Sequence, residues 1–426
     1  MTGGLQRFVS EFLLVTAGKV VSLGALFVCA AIVSRFSGPA ELGRFYAALT
    51  VALLVDAAIG GSLDFAAVRF SALHKNELQR VARFHGATFR LKATVVLAIA
   101  AAAILARGPL ATLLFADPAE APLVVSTALT IAALVFLRSV FAWLQTATRF
   151  RAYAALDLCN GILRVAAIAA VGLLGIRSAE AFLGVLAAAI LGAYLTSFTF
   201  IRQPYLTAPR PEPHDSRAIF GFFGATALIL ILGSFTGRSD VFFVHRLISA
   251  EAAGVYGAAA QLATVITMLA SYACVVLQPR LMHAGAASIR RLALLSAAAG
   301  LAAAAALLPA SHFFGADALT LAFGDPTFAS AQPLLTILLI GTCLDITFMP
   351  VLMTYALQVR PRASLAGELL ITAAFVAAIA LSGRDGALTI AWIATGARIA
   401  KLALYATLAL TTPHRHQEPT YDGRSV

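Results

Sequence analysis

Apolar and polar positions along this chain alternate on the scale of whole segments. Twelve stretches of predominantly apolar residues lie near 12–34, 42–63, 87–106, 121–145, 154–175, 179–201, 218–245, 254–277, 292–312, 331–354, 364–382 and 386–410, separated by short polar connections. About 20 such residues in a helix cross the hydrocarbon core of a bilayer. Backbone groups in lipid have to be satisfied within the segment. The chain also lacks the alternating ten-residue pattern of barrel strands, so the spans are predicted as helices. The pattern predicts an all-α polytopic membrane protein with twelve transmembrane helices.

The polar connections carry a repeat. RFSGPAELGRFYAA, residues 35–48, returns as RLISAEAAGVYGAA, residues 246–259. Arg35 pairs with Arg246, Gly43 with Gly254, Phe45 with Tyr256, and Ala47 and Ala48 with Ala258 and Ala259. At the same offset Arg69 falls on Arg280, Arg80 on Arg291, Arg149 on Arg360, Arg151 on Arg362 and Asp157 on Glu368. Five arginine pairs stand where random placement gives about one. A slipped echo pairs Phe115-Ala116-Asp117-Pro118 with Phe323-Gly324-Asp325-Pro326. The expected organisation is an N-lobe over 1–201 holding spans 1–6, a proline-rich inter-lobe linker over 202–217, a C-lobe over 218–410 holding spans 7–12, and a polar tail over 411–426. Six spans per half is an even number, so both halves enter the membrane in the same direction.

Composition narrows the class. Of 426 residues 60% are apolar and 12% charged, and the mean hydropathy is +0.89, a balance that excludes a soluble globular domain. The net charge of +11 is therefore read by location and not as a nucleic-acid signature. With the N-terminus inside, inside segments hold 19 Lys and Arg and outside segments 6, which places both termini in the cytoplasm. The basic, amphipathic segment from Asp64 to Phe84 is expected to be a short interfacial helix at lipid phosphates. The four cysteines show no CxxC spacing and are read as small packing residues.

Nine of the charges within the spans are singled out: Lys19, Asp56, Arg138, Arg164, Arg238, Asp240, Asp345, Arg398 and Lys401. Each costs about 2.5–3.5 kcal/mol at a helix centre on insertion scales, so each must be wetted, paired or drawn to the interface. Lys19, Arg164 and Arg238 are deepest and are the candidates for lining a cavity. Asp56, Asp240 and Asp345 are candidates for their ion-pair partners or for a proton-coupling carboxylate. Arg398 and Lys401 are expected to snorkel to the cytoplasmic end of span 12. Asp157 and Glu368 are expected to pair with Arg151 and Arg362. No metal, phosphate-loop or nucleophile motif is present, so no cofactor is expected.

The R-x7-G-x-[FY]-x-A-A repeat, the basic loop after span 2, the 6+6 layout and Gly237-Arg238-Ser239-Asp240-Val241-Phe242-Phe243 together resemble one family. It is the polysaccharide-export flippases of the multidrug, oligosaccharidyl-lipid and polysaccharide exporter superfamily. The resemblance implies two six-helix lobes arranged as a V around a central cavity in the cytoplasmic (inner) membrane. It also implies a polyprenyl-diphosphate-linked saccharide as substrate, with membrane lipids, a polysaccharide polymerase and glycosyltransferases as partners. The chain departs from the related lipid II flippases in ending after twelve spans and in having no charge in span 8. On that basis the cavity is a wet, net-cationic chamber whose Arg and Lys meet diphosphate oxygens by charge-assisted bonds. Two other readings stand beside it: a cation-coupled exporter of small amphipathic compounds, and a membrane polysaccharide polymerase or ligase. The first calls for an acid-dominated cavity, and six cations against three acids oppose it. The second calls for a large outer loop with catalytic residues, and the chain has none, so an enzyme is not expected.

Neutralising Arg238 or Lys19 to alanine is expected to abolish export while leaving membrane insertion intact. Measuring surface polysaccharide alongside the membrane-inserted protein checks this, and full polysaccharide in both variants would remove them from the mechanism.

Overall fold

The computed structural model describes residues 2–74, 77–210, 212, 227–281, 286–354 and 361–411. Among these there is no strand. Nine helices are long and apolar enough to cross a membrane among the described residues, and a bent pair, Ala227–Arg238 and Asp240–Leu247, makes a tenth if it is one span. Among the described residues fourteen helices follow in chain order. In the first half they are α1 (Thr2–Asp56), α2 (Ser62–Leu73), α3 (Leu78–Leu105), α4 (Arg107–Phe115), α5 (Ala121–Thr146), α6 (Phe150–Leu173) and α7 (Ala179–Phe200). In the second they are α8 (Ala227–Arg238), α9 (Asp240–Leu247), α10 (Ala250–Leu281), α11 (Ala286–Phe323), α12 (Gln332–Thr354), α13 (Pro361–Ser382) and α14 (Ala387–Thr411).

The first two predicted spans run together. Residues 24–68 form a stretch of 45 helical residues. At 1.5 Å per residue a straight helix of that length is about 68 Å long, over twice the hydrocarbon thickness. The break falls at Gly38, whose φ of 82° and ψ of −179° are non-helical. Pro39 then restarts the helix, its missing N–H being harmless in a first turn. Lower down, α1 passes through a π-helical turn, Ala57–Gly61, directly into α2.

The segment from Asp64 to Phe84 is not a separate interfacial helix. It is a helical hairpin, with α2 turning back into α3 and the rings of Phe70 and Phe84 5.9 Å apart. Its inward face is apolar, with Leu63, Ala66, Ala67 and Phe70 all buried, so packing against α3 and α5 outweighs lying on the membrane surface. The inter-lobe linker likewise begins pinned. Tyr205 is buried and donates to Gln203 Oε1 at 2.6 Å, and Arg90 donates to the Ala208 carbonyl at 2.9 Å.

The internal repeat is visible as repeated geometry. After α4, Ala116 takes a left-handed φ of 66°, and Asp117 Oδ1 accepts from Ala119 N at 2.8 Å. After α11, Gly324 takes φ 80°, and Asp325 Oδ1 accepts from Thr327 N at 2.8 Å. In both copies a proline then opens a 3₁₀ turn leading into the next span.

The two halves meet through the repeat itself. A Cβ on Gly43 would run into the Ala250 carbonyl and lie 2.7 Å from the Gly254 nitrogen. A Cβ on Gly254 would run into the Pro39 carbonyl and lie 3.2 Å from the Gly43 nitrogen. Each half thus offers the other a glycine against the backbone one turn earlier, at Pro39 and Ala250. This is the small-xxx-small crossing that lets membrane helices approach to backbone distance. Flanking contacts follow the same pseudo-symmetry. Ser34 Oγ donates to the Phe323 carbonyl at 2.9 Å, and its counterpart His245 meets the ring of Phe115, the counterpart of Phe323, edge-on at 5.8 Å. Arg35 Nη2 donates to the Leu321 carbonyl at 2.5 Å, capping the C-terminus of α11 with a cation.

Gly43→Leu and Gly254→Leu should each lower the thermal midpoint of the purified protein, overpacking costing about 1–3 kcal/mol. Gly24→Leu is the control, since a Cβ there has nothing within 4 Å. Equal shifts in all three would show that the crossing carries no special contact.

Candidate functional site

The charges inside the spans are mostly turned toward neighbouring helices, in two groups. In the first half the pattern starts from Asp56, the last α-helical residue of α1 before the π turn, where it is 1% exposed. Arg138 of α5 reaches across to it, Nε donating to Oδ1 at 3.0 Å and to Oδ2 at 2.9 Å. Nη2 donates to Oδ2 as well. This forked geometry is what an arginine offers a carboxylate. Gly60 makes room: a Cβ there would lie 2.7 Å from Asp56 Oδ1 and 3.0 Å from Arg138 Cδ. The π turn and its glycines therefore let the guanidinium lie across the helix, in keeping with the placement of such turns at functional positions. The carboxylate is sealed, while the Arg138 side chain remains 44% exposed. One turn on, Lys92 of α3 is held by Asp64 of α2 and donates to Ser139 Oγ at 2.8 Å. Lys92 is fully buried.

In the second half, Tyr256 Oη donates to Asp240 Oδ2 at 2.8 Å, while Asp240 Oδ1 accepts from the Val241 nitrogen at 2.9 Å. Arg398 Nε of α14 lies 3.5 Å from Asp345 Oδ2 of α12. The Arg398 side chain crosses Gly341, where a Cβ would lie 2.9 Å from its Cδ. Lys401 Nζ lies 3.2 Å from Glu368 Oε2 of α13, and Tyr405 Oη donates to Glu368 Oε1 at 3.0 Å. Arg398 and Lys401 do not snorkel. Both sit mid-helix with an acid on a neighbouring helix in reach, and a buried pair replaces the longer path to the interface. Glu368, expected to pair with Arg362, is taken by Lys401 and Tyr405 for the same reason.

The six predicted site residues do not gather in one place. Arg164 of α6 donates from Nε to Asn160 Oδ1 at 3.0 Å, on the α6 surface facing Ser22 and Ala25 across Gly161. Arg238 is exposed at the last residue of α8, where the axis turns by 52° into α9. The Lys19 side chain lies outside the described residues. Asp56 meets Arg138, Asp240 meets Tyr256 and Asp345 meets Arg398. Lys92, Asp64, Tyr256 and Tyr405 were not singled out. Tyr256 did carry a signal, being the one hydroxyl in an aromatic position of the repeat that is Phe45 in the other copy.

Between the halves lies a cavity of about 390 Å³. Gly24 and Phe27 of α1 form one wall, and Leu262, Ile266, Leu307 and Leu335 of α10–α12 form the other. Ser311 on its lining is satisfied by the Leu308 carbonyl at 2.9 Å, so the crevice presents hydrocarbon. Among the described residues no group of His, Cys, Asp and Glu is placed to hold a metal ion.

A helical chain with an internal repeat, charged groups paired between helices and an apolar crevice between them belongs to the class of polytopic membrane proteins. Solved structures agree on the fold. The chain is similar to the lipid II flippase MurJ in an inward closed conformation, at 11% identity and TM-score 0.63, over 94% of this chain and 88% of that one. It is similar to the MATE multidrug transporter DinF-BH, at 14% identity and TM-score 0.70, over 95% of each. It is also similar to a MOP superfamily transporter from Pyrococcus furiosus, at 14% identity and TM-score 0.61, over 94% of each. No protein of curated function matches it in sequence. Residues 8–284 match the family described as polysaccharide biosynthesis protein, and the chain belongs to that family.

Arg138→Ala should destabilise the purified protein by about 3 kcal/mol, because it strands a buried carboxylate. The double variant Asp56→Asn/Arg138→Gln should recover most of that loss in thermal or denaturant unfolding. A double variant no more stable than Arg138→Ala would show that the pair is not what holds α1 to α5.

Proposed function

We propose that this protein is a flippase that moves a lipid-linked oligosaccharide or polysaccharide precursor across the cytoplasmic membrane by alternating access. Its family supports the biosynthetic setting. The likeness to MurJ, named as a lipid II flippase, supports a lipid-linked substrate. The observation that carries the reading is the junction of the halves. It is closed by backbone contact at the end bearing the repeat, and beside it lies a hydrocarbon-lined crevice between α1 and α10–α12. A headgroup can be sheltered between the halves while its prenyl anchor stays in an apolar setting, which is the energetic problem of flipping. In this reading twelve spans form two six-helix lobes over 1–201 and 218–410. Residues 202–217 link them, both termini and the 411–426 tail are cytoplasmic, and the repeat forms the outer seal.

The headgroup is a polyprenyl diphosphate carrying a saccharide. Its oxygens would meet Arg164, Arg238 and Lys19, to which the half-exposed edge of Arg138 is added. Asp56, Asp240 and Asp345 then serve to hold polar side chains in place, with Asp345 the acid whose pair with Arg398 is loosest. Polysaccharide polymerase and glycosyltransferases act before and after this step, and the protein itself is a transporter and not an enzyme. Its likeness to MATE transporters keeps a second reading in view, export of small amphipathic compounds.

Deleting the gene in its source organism tests the choice. A lipid-linked saccharide should accumulate on the inner leaflet, and the wild-type gene should restore surface polymer. A deletion strain with normal polymer and normal lipid-linked pools, but raised sensitivity to cationic dyes, would establish the drug-export reading instead.

A further inference from the structure

The second half holds an ammonium at an unusual junction. Lys401 of α14 places Nζ 3.2 Å from Glu368 Oε2 of α13 and 3.5 Å from the Gly233 carbonyl of α8. Glu368 is 1% exposed and the Lys401 side chain 9%. Tyr405 Oη occupies the other carboxylate oxygen at 3.0 Å. Two helices, α13 and the sequence-distant α8, thus turn oxygen atoms toward one positive charge on α14, and the Gly233 carbonyl also accepts from Thr236 Oγ1 at 3.3 Å. One of them, α8, is the first part of a broken element: five residues after Gly233 it ends at Arg238, and the axis bends by 52° into α9.

In membrane transporters, discontinuous helices that offer carbonyl oxygens beside a carboxylate are where a free monovalent coupling ion is held. Here one carboxylate and one carbonyl, a set suited to a single positive charge, already surround the chain's own side chain. Without that charge the Glu368 carboxylate would be buried and unneutralised, which low-dielectric surroundings do not tolerate. We infer that Lys401 is a built-in cation. It takes the place of a free monovalent ion, ties α8 to α13 and α14 beside the break, and makes the protein independent of Na⁺ and K⁺. Among the described residues the other buried ammonium, Lys92, differs in that its partners Asp64 and Ser139 are both side chains and neither lies on the bent helix pair.

The test is thermal unfolding of purified protein in detergent, titrated with NaCl, KCl or methylammonium chloride while choline chloride keeps ionic strength constant. Variants are expressed and purified with methylammonium present, which is then dialysed away, so that folding does not hinge on the lysine. The wild-type midpoint should be flat in all three salts. That of Lys401→Ala should start lower and rise saturably, by about 2–4 °C or more, with at least one of the three cations. Adding Glu368→Gln to Lys401→Ala should abolish that rise. A wild-type midpoint that climbs saturably with Na⁺ or K⁺ overturns the proposal without reference to any variant. So does a folded Lys401→Ala protein that is flat in every salt, or a rise that survives Glu368→Gln. No saccharide enters the measurement, so its failure leaves the flippase reading standing, and a failed gene-deletion experiment leaves this one standing.

Discussion

Two glycines let the halves of this protein touch. In a bilayer, lipid tails are as apolar as leucine, so helices gain little by burying hydrocarbon against one another and depend on close packing and polar contacts. At Gly43 and Gly254 the packing reaches backbone distance, each glycine facing a carbonyl of the other half. Such approaches bring Cα–H groups to carbonyl oxygens, individually weak contacts that recur at close helix crossings. The flanking contacts from Ser34, Arg35 and His245 all depend on this crossing, because a side chain on either glycine would move the ends of α1 and α10 apart. Around this crossing the junction is apolar, with Leu42, Phe45, Ala258 and Ala259 buried and the rings of Phe27 and Phe323 5.7 Å apart.

The second constraint is the cost of charge in hydrocarbon. It is met by pairing between helices more than by retreat to the interface. Asp56 with Arg138, Asp64 with Lys92, Asp345 with Arg398 and Glu368 with Lys401 each join two helices. These pairs tie neighbouring helices together, since a carboxylate buried to 1% exposure, as Asp56 and Glu368 are, stays ionised only beside a cation and hydrogen-bond donors. The bundle is consequently less of a bare cationic vessel than its count of arginines implies. Arg138 in part and Arg238 at the helix break keep an exposed edge.

How much was legible beforehand differs by kind of feature. The Phe115-Ala116-Asp117-Pro118 echo, legible in the sequence, marks a turn built twice, with a left-handed residue at the same position (Ala116 and Gly324), the same aspartate cap and the same proline. The membrane-spanning helices were legible because hydropathy is a property of each segment alone. The break at Ser239 was not, because Gly237-Arg238-Ser239-Asp240 contains no proline and reads as ordinary helix. Nor was the π turn, whose Gly60 and Gly61 acquire meaning only with Arg138 lying across them. The segment from Asp64 to Phe84 reads as lying at the membrane surface because a basic amphipathic stretch and a helical hairpin share the same pattern. Packing against α3 and α5 decided between them.

By itself the sequence determined that this is a helical membrane protein, that it carries an internal repeat, and that a few charges are kept within the spans. Those conclusions rest on composition and periodicity, which need no knowledge of neighbours. Only the tertiary structure decided which charges meet, that Arg398 and Lys401 turn inward, and that the repeated glycines lie against each other. The physical reason is that an ion pair or a backbone crossing is worth having only at contact distance. Contact distance between residues two hundred positions apart is set by how the helices pack and not by where they stand in the chain.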